Sequence, residues 1–299
     1  MPMPSPCRVA LVTCLELPEV DDDQAPLLAA LHNAGLSAQV LAWETAAPAD
    51  ADLWILRSPW NYHLHHTQFL SWLDSVAAAG QLCNPASIVR WNSDKAYLVE
   101  LAALGLPVAP TVLLPQGSAP DLHALVTARG WTRWVLKPSI SLGSFMTERF
   151  TLDQVLQAQE FADTALAGRA MLLQPYLSAV EDYGERSLVC IGGQVCHAVR
   201  KSPRFSGGHE AVTPVAIADD ERALAERVLQ TVAKLPCAPP IPLLYARVDT
   251  VRGEDGKPLL MELELVEPSL FLLAHPASLQ RLVQEVALRA QRWSGRPVR

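Results

Sequence analysis

Two stretches late in the chain, Leu243 to Val251 and Pro258 to Val266, alternate polar and apolar residues and are joined by Gly253-Glu-Asp-Gly256. A period of two is strand patterning, and a glycine-bracketed turn between two such runs predicts an antiparallel hairpin. Residues two apart in a strand share a face, so Arg247 points with Asp249 and Glu262 with Glu264, while Met261, Leu263 and Leu265 turn to the core. If the register brings the polar faces together, three carboxylates and one guanidinium converge. Like charges opposed across a sheet repel, so one reading places a cation between them, with hard oxygen ligands suited to Mg²⁺ or Mn²⁺. The other reading is a solvated sheet face with Arg247 bridging the carboxylates.

The rest of the chain sets this hairpin in a larger plan. Strand patterns at Arg8 to Cys14, Ala38 to Ala42 and Leu53 to Leu56 alternate with helical ones at Asp22 to Asn33 and His66 to Ala79, which predicts a parallel α/β lobe. A helix capped by Asn92 or Ser93 is expected to run to Gly105, ahead of Pro107 and Pro110. Strands at Thr111 to Leu114, Trp134 to Lys137, Ser144 to Arg149 and Ala170 to Gln174, with helices at Asp121 to Arg129 and Leu152 to Leu166, suggest a small α+β lobe. Glu185 to Ile191 and Gln194 to Lys201 flank Gly192-Gly193, whose freedom at positive φ suits a two-residue hairpin turn. Helices at Asp219 to Leu235 and Ala277 to Trp293 complete the chain. At 299 residues it exceeds what one core usually supports, and three parts are expected: residues 1–92, 93–175 and 176–299.

A formal charge of -7 and the absence of a Lys/Arg-rich run argue against nucleic acid, which needs a basic stripe to displace counterions. No apolar run reaches the length of a membrane span, and Met1 to Pro6 lacks a signal-peptide layout. Six cysteines without a C-x-x-C pair read as reduced thiols and point to the cytoplasm. His63, His65 and His66 show no metal-ligand spacing and read as a surface helix start. Small molecules are the expected partners, and a symmetric homodimer is the default assembly.

Two lysines stand out. Lys137 ends the apolar strand Trp134-Val-Leu-Lys and precedes Pro138-Ser-Ile-Ser-Leu-Gly-Ser144, a loop of small residues able to turn backbone N–H groups toward phosphate; it can equally be an ordinary surface lysine before a turn. Lys95 falls in the first turn of its expected helix, where the macrodipole disfavours a cation by roughly a few tenths of a kcal/mol. No Walker A pattern occurs.

In this order the features resemble the ATP-grasp superfamily in its glutathione-synthetase-like form. Leu172-Leu-Gln-Pro-Tyr-Leu177 resembles the hinge that binds adenine, and Glu262-Leu-Glu-Leu-Val-Glu-Pro268 resembles the E-x-N-x-x-x-P metal segment, with Glu264 in place of the usual Asn. The resemblance implies an ATP-grasp fold of an N-terminal α/β lobe and two α+β lobes enclosing ATP. It implies that Lys95 and Lys137 contact the α- and β-phosphates and that Ser139, Ser141, Gly143 and Ser144 belong to a mobile flap. Gln174, Pro175, Tyr176 and Leu177 would hold adenine, Glu181 or Glu185 the ribose, and Asp249, Glu262 and Glu264 the Mg²⁺, with Glu267 a further candidate. Arg247 and Arg200 would face the γ-phosphate and an acyl phosphate. Within the superfamily, Leu56-Arg-Ser-Pro-Trp-Asn-Tyr62, Tyr245-Ala-Arg-Val-Asp249 and Glu264-Leu-Val-Glu-Pro-Ser-Leu270 resemble the group that includes the cyclo-ligase of D-cycloserine biosynthesis, whose substrate is O-ureido-D-serine. Arg57, Trp60, Asn61 and Tyr62 follow a strand end, where ligands of α/β lobes commonly bind, and are the substrate candidates; a structural turn is the plain alternative.

Such residues suit carboxylate activation: positioning and charge neutralisation are what phosphoryl transfer needs, and a closed flap keeps water from an acyl phosphate. A ligase joining separate carboxylate and amine substrates, a non-catalytic ATP-binding regulator and a plain α/β binding protein are the competing readings.

Overall fold

The computed structural model describes residues 7–201 and 212–293, so Met1 to Pro6 lie outside it. Its N-terminal part carries β1 (Arg8–Thr13), α1 (Gln24–Asn33), β2 (Ser37–Ala42), β3 (Leu53–Ser58), α2 (His66–Ala79) and β4 (Gln81–Cys83). These strands form a parallel sheet in the order β2-β1-β3-β4. β1 and β3 are apolar on both faces because both are covered. Leu27 and Leu31 of α1 pack on Val9, Leu11, Leu53 and Ile55, and Phe69, Leu73 and Val76 of α2 pack on Ala10, Val12, Trp54 and Leu56.

Next come α3 (Ala86–Asn92) and α4 (Tyr97–Ala103), then β5 (Val112–Leu114), α5 (Leu122–Thr127), β6 (Arg133–Pro138), β7 (Glu148–Thr151), α6 (Val155–Leu166) and β8 (Met171–Pro175). The four strands make an antiparallel sheet, β5-β8-β6-β7, with Trp134, Leu136, Met171 and Leu173 packed against α5 and α6. Two expectations need correction. The helix expected from Asn92 or Ser93 is broken: Asn92 ends α3, and Lys95 stands in the turn before α4. Residues 144–147 form a turn rather than a strand, because Gly143, Ser144 and Met146 adopt φ of 56°, 62° and 49°, values that a strand cannot contain.

The last part holds α7 (Ala179–Asp182), β9 (Glu185–Ile191), β10 (Gln194–Lys201), β11 (Val212–Val215), α8 (Asp219–Val232), β12 (Tyr245–Arg252), β13 (Pro258–Glu264) and α9 (Pro276–Trp293). Its sheet runs β11-β10-β9-β12-β13. Gly192 and Gly193 take φ of 58° and 78° at the β9–β10 connection, as a tight hairpin requires. One sheet face, with Leu188, Cys190, Ala246, Val248 and Leu263, packs on Leu224, Ala225 and Val228 of α8 and on Tyr97, Leu98 and Leu101 of α4. The other face packs partly on Leu282, Val286 and Ala290 of α9, which also touch the N-terminal sheet. None of the helices among the described residues is long and apolar enough to cross a membrane, and all six cysteines are free thiols.

β13 is an edge strand, and an open edge leaves backbone groups without partners. Here they are closed from outside. Leu260 exchanges hydrogen bonds with the 107–109 segment. Asn92 donates to Leu263 O at 2.8 Å and accepts from Leu265 N at 2.7 Å, and the Tyr97 hydroxyl bonds both backbone groups of Leu263. Asn84 donates to Tyr245 O and Leu265 O and accepts from Leu244 N. Buried amides and a phenol thus fix the end of the hairpin to the preceding helices.

Candidate active site

The β12–β13 register sets Arg247 opposite Glu264 and Asp249 opposite Glu262, with a bulge after Asp249. Bulges beside active sites re-aim side chains. On the same face β9 contributes Glu185 and β10 contributes Lys201, giving an alternating field of acids and bases. Arg247 donates to Asp249 at 2.8–3.2 Å and also to Glu264. Lys201 reaches Asp249 Oδ2 at 2.9 Å and pairs with Glu185. Lys95 reaches Glu262 at 3.1 Å. Burial opposes the charges of the four carboxylates, and their partners decide which way each one shifts. It is outweighed at Asp249 by Arg247 and Lys201, whose positive charges hold that carboxyl far below the usual range, and at Glu262 by Lys95 and Lys137. It prevails at Glu264 and Glu185, which are pushed up. Lys137 is pushed down by burial and by Lys95 despite Glu262.

The small-residue loop closes over this field. Lys95 N donates to Ser139 O at 2.7 Å, the Lys95 ammonium bonds Ser141 O, and Ser141 Oγ donates to Pro138 O at 3.0 Å. Ser139 and Ser141 are therefore buried anchors, and the bend at Gly143 and Ser144 carries the tip outward. At that tip the Phe145 ring lies 5.1 Å from the His63 ring and 5.5 Å from the Arg169 guanidinium. His63 is thus not a plain surface residue: burial, with Lys95 and Arg169, lowers its pKa to about 4.

Behind Lys95 lies a cavity lined by Tyr62, Asn92, Leu142, Glu262, Glu264 and Glu267 among others. Of the four substrate candidates Arg57, Trp60, Asn61 and Tyr62, Tyr62 alone lines it. Trp60 donates from its indole to Glu267 O at 3.1 Å, and Asn61 is held by Glu44 and Trp43. Arg57 is wholly buried and donates to Pro268 O at 2.9 Å, so it braces the wall instead of lining the cavity. At the hinge, Tyr176 N bonds Arg133 O, the Gln174 amide is tied to Thr111 Oγ1, and Glu181 accepts from the Tyr176 hydroxyl at 2.7 Å. Pro175 and Leu177 adjoin them in sequence.

Arg200 is not brought to this face. It lies opposite Arg186 in the sheet and donates to the carbonyls of Tyr183 and Asp182 at 2.9 Å. The face belongs to its neighbour Lys201, and one residue is enough to reverse the side in a strand. Lys201 was missed; its signal was the shared parity with Glu185 across the Gly192-Gly193 hairpin.

The donors present are hard oxygens that fit Mg²⁺. Among the described residues no three of them form a ready-made metal cage; Asp249, Glu262 and Glu264 are instead each paired with Arg247, Lys201 or Lys95. Accepting a divalent ion there requires these bases to turn to other anions, which triphosphate oxygens would supply.

Glu267 is 4% exposed, and burial, then the nearby Glu264, push its pKa up to about 8. The ligand-free protein then keeps a proton on Glu267 between about pH 4.5 and 8 that the unfolded chain releases, so this group lowers stability as pH rises through that window. Glu267→Gln removes the slope. Its thermal midpoint relative to the parent is expected to rise between pH 5 and pH 8.5; an equal difference at both values would refute the assignment.

Solved structures of the same architecture include a RimK-domain ATP-grasp protein from Sphaerobacter thermophilus, with TM-score 0.67 and 18% identity over 94% of this chain and 99% of that one. A D-alanine–D-alanine ligase from Bacillus anthracis gives TM-score 0.68 and 12% identity, covering 97% and 99%. A crystal structure of D-cycloserine synthetase DcsG superimposes with TM-score 0.88 and 32% identity over 95% of this chain and 99% of that one. The fold and its neighbours define an ATP-grasp enzyme, an ATP-dependent carbon–nitrogen ligase. The cycloserine biosynthesis protein DcsG of Streptomyces lavendulae is 34% identical over 296 residues, covering 94% of this chain and 98% of its own length. Residues 9–84 match the family of the D-cycloserine synthetase DcsG N-terminal domain. The chain belongs to the DcsG family.

Proposed function

We propose that this enzyme closes D-cycloserine from O-ureido-D-serine through an acyl phosphate. The observation that supports this reading is the likeness of nearly the whole chain to D-cycloserine synthetase DcsG, together with the frame of Lys95, Arg247 and Lys201 on the acidic sheet face, which Tyr62 and Glu267 adjoin at Lys95. A carboxylate resists a nitrogen nucleophile because it would have to expel oxide. Transfer of the γ-phosphoryl group to a substrate carboxylate oxygen releases ADP and makes that oxygen a leaving group. The oxygen-bound nitrogen then attacks the acyl carbon, phosphate departs, and the carbamoyl group leaves with water as CO₂ and ammonia.

In this scheme Lys95 and Lys137 neutralise the α- and β-phosphates, while Arg247 and Lys201 face the transferring group, where fixed positive charge lowers the barrier most. Asp249, Glu262 and Glu264 would hold Mg²⁺, which supplies charge neutralisation on the phosphates when bound. The backbone of residues 174–177 takes adenine. Glu181, beside Tyr176, takes the ribose, since Glu185 is committed to Lys201. Tyr62 and Trp60 shape the amino-acid pocket, and the Ser139–Ser144 loop with Leu142 excludes water.

Incubation with ATP, Mg²⁺ and O-ureido-D-serine, followed by mass spectrometry, is expected to give ADP and D-cycloserine in equal amounts. ADP formed only when a second, free amine is added would overturn the cyclisation in favour of an intermolecular ligase.

A further inference from the structure

The segment after the acidic hairpin, residues 268–272, is held from the far end of the chain. Asp23, 3% exposed at the start of α1, accepts from Leu270 N at 2.8 Å through Oδ2 and from Leu272 N at 2.7 Å through Oδ1. Arg57 lies 3.8 Å from the same carboxylate and donates to Pro268 O at 2.9 Å; its guanidinium also sits 5.4 Å from the Tyr245 ring. Three successive anchor points of one short segment thus depend on two charged side chains of the N-terminal part. Between them Phe271 is held at φ 49°, a left-handed conformation that a bulky residue adopts only when its surroundings impose it.

What the segment presents to the site is support for Arg247. Ser269 O accepts from Arg247 Nη1 at 3.4 Å, and the Phe271 ring lies 5.8 Å from its guanidinium carbon, within the reach of a cation–π contact. We propose that Asp23 and Arg57 form a buried strut that positions Arg247 for phosphoryl transfer by fixing the 268–272 segment. Neither strut residue lines the cavity, and both Asp23 oxygens are engaged by backbone, so the pair acts through Arg247 as positioning residues. The inference rests on the role given to Arg247 above. A guanidinium held within a few tenths of an ångström matters in catalysis because electrostatic stabilisation is effective only when its donors are preorganised.

The test is a double-mutant cycle on ADP release. Asp23→Asn keeps one acceptor for the segment, and Phe271→Ala removes the ring while leaving all three anchor points. Each is expected to lower kcat ten- to hundredfold with KM for ATP changed less than threefold. In an Arg247→Lys background, Asp23→Asn should lower kcat less than twofold further, since contacts that position an absent guanidinium no longer count. Multiplicative effects in that background, or an Asp23→Asn protein that melts earlier yet keeps its kcat, would overturn the strut. Should the parent release no ADP with O-ureido-D-serine, the substrate reading fails on its own. Crystal structures of the parent and Asp23→Asn then decide the strut: Arg247 displaced from Ser269 O supports it, and an unmoved Arg247 refutes it.

Discussion

Arg247→Ala is expected to lower turnover about a thousandfold or more while weakening the fold by about 3–5 kcal/mol. The first figure follows from the class of chemistry, in which an arginine facing the transferring phosphoryl group is worth about 10³–10⁵ in rate. The second follows from what the guanidinium leaves behind. Arg247 is buried between Asp249 and Glu264, and removing one partner of a buried ion pair strands the other charge away from water. Asp249 keeps Lys201 at 2.9 Å, whereas Glu264 loses the cation that opposes its burial and will be protonated instead. Arg247→Lys should fall between, because an ammonium keeps the charge but not the fork that spans Asp249 and Glu264 together. Differential scanning calorimetry with and without Mg²⁺ separates the two effects: the divalent ion should raise the midpoint of Arg247→Ala more than that of the parent. Equal shifts would mean that the carboxylates do not form a cation site.

The parts of this architecture written in local periodicity were legible in the sequence. The hairpin register follows from alternation of period two on both strands, since a slip of one residue would bury Glu262 and Glu264 against α8. β9 and β10 were legible for the same reason, their turn being fixed by two adjacent glycines. The same rule exposes the error at Arg200: the basic dipeptide Arg200-Lys201 offers one cation to each face, and only the parity of Glu185 tells which reaches the site. Lys95 stands out in the sequence as a cation misplaced in the first turn of a helix, but that helix, α4, begins only at Tyr97; what sets Lys95 is the backbone bond to Ser139 O, a contact between segments over forty residues apart. Asp23 carried no signal at all. Its partners lie 247 and 249 residues away; the sequence places it inside a helix starting at Asp22, whereas it precedes α1 and its side chain makes no capping bond. Tertiary packing alone decides such roles. β4, three residues long, is likewise a strand only because β3 lies beside it.

Glu262→Gln should lower kcat/KM for ATP by about a hundredfold or more with the fold intact. Glu262 lies opposite Asp249 in the sheet and pairs with Lys95 at 3.1 Å. It stands where the carboxylate face meets the two ammonium groups, so its negative charge serves both the proposed Mg²⁺ and the spacing of Lys95 from Lys137. The amide is nearly isosteric and still accepts a hydrogen bond from Lys95, which confines the change to charge. A neutral oxygen is a poorer ligand for a hard divalent ion, and the Mg²⁺ concentration for half-maximal rate should rise together with KM for ATP. The effect on stability has a definite sign in pH. Burial disfavours the Glu262 charge, but Lys95 and Lys137 more than offset it and lower its pKa in the fold, so its contribution is present above the unfolded value near 4.5 and lost as pH falls below it. The Gln variant, which does not titrate, should therefore differ most from the parent at neutral pH and converge on it in acid. Full activity in Glu262→Gln with an unchanged Mg²⁺ requirement would remove Glu262 from the metal set and leave Asp249 and Glu264 to account for it.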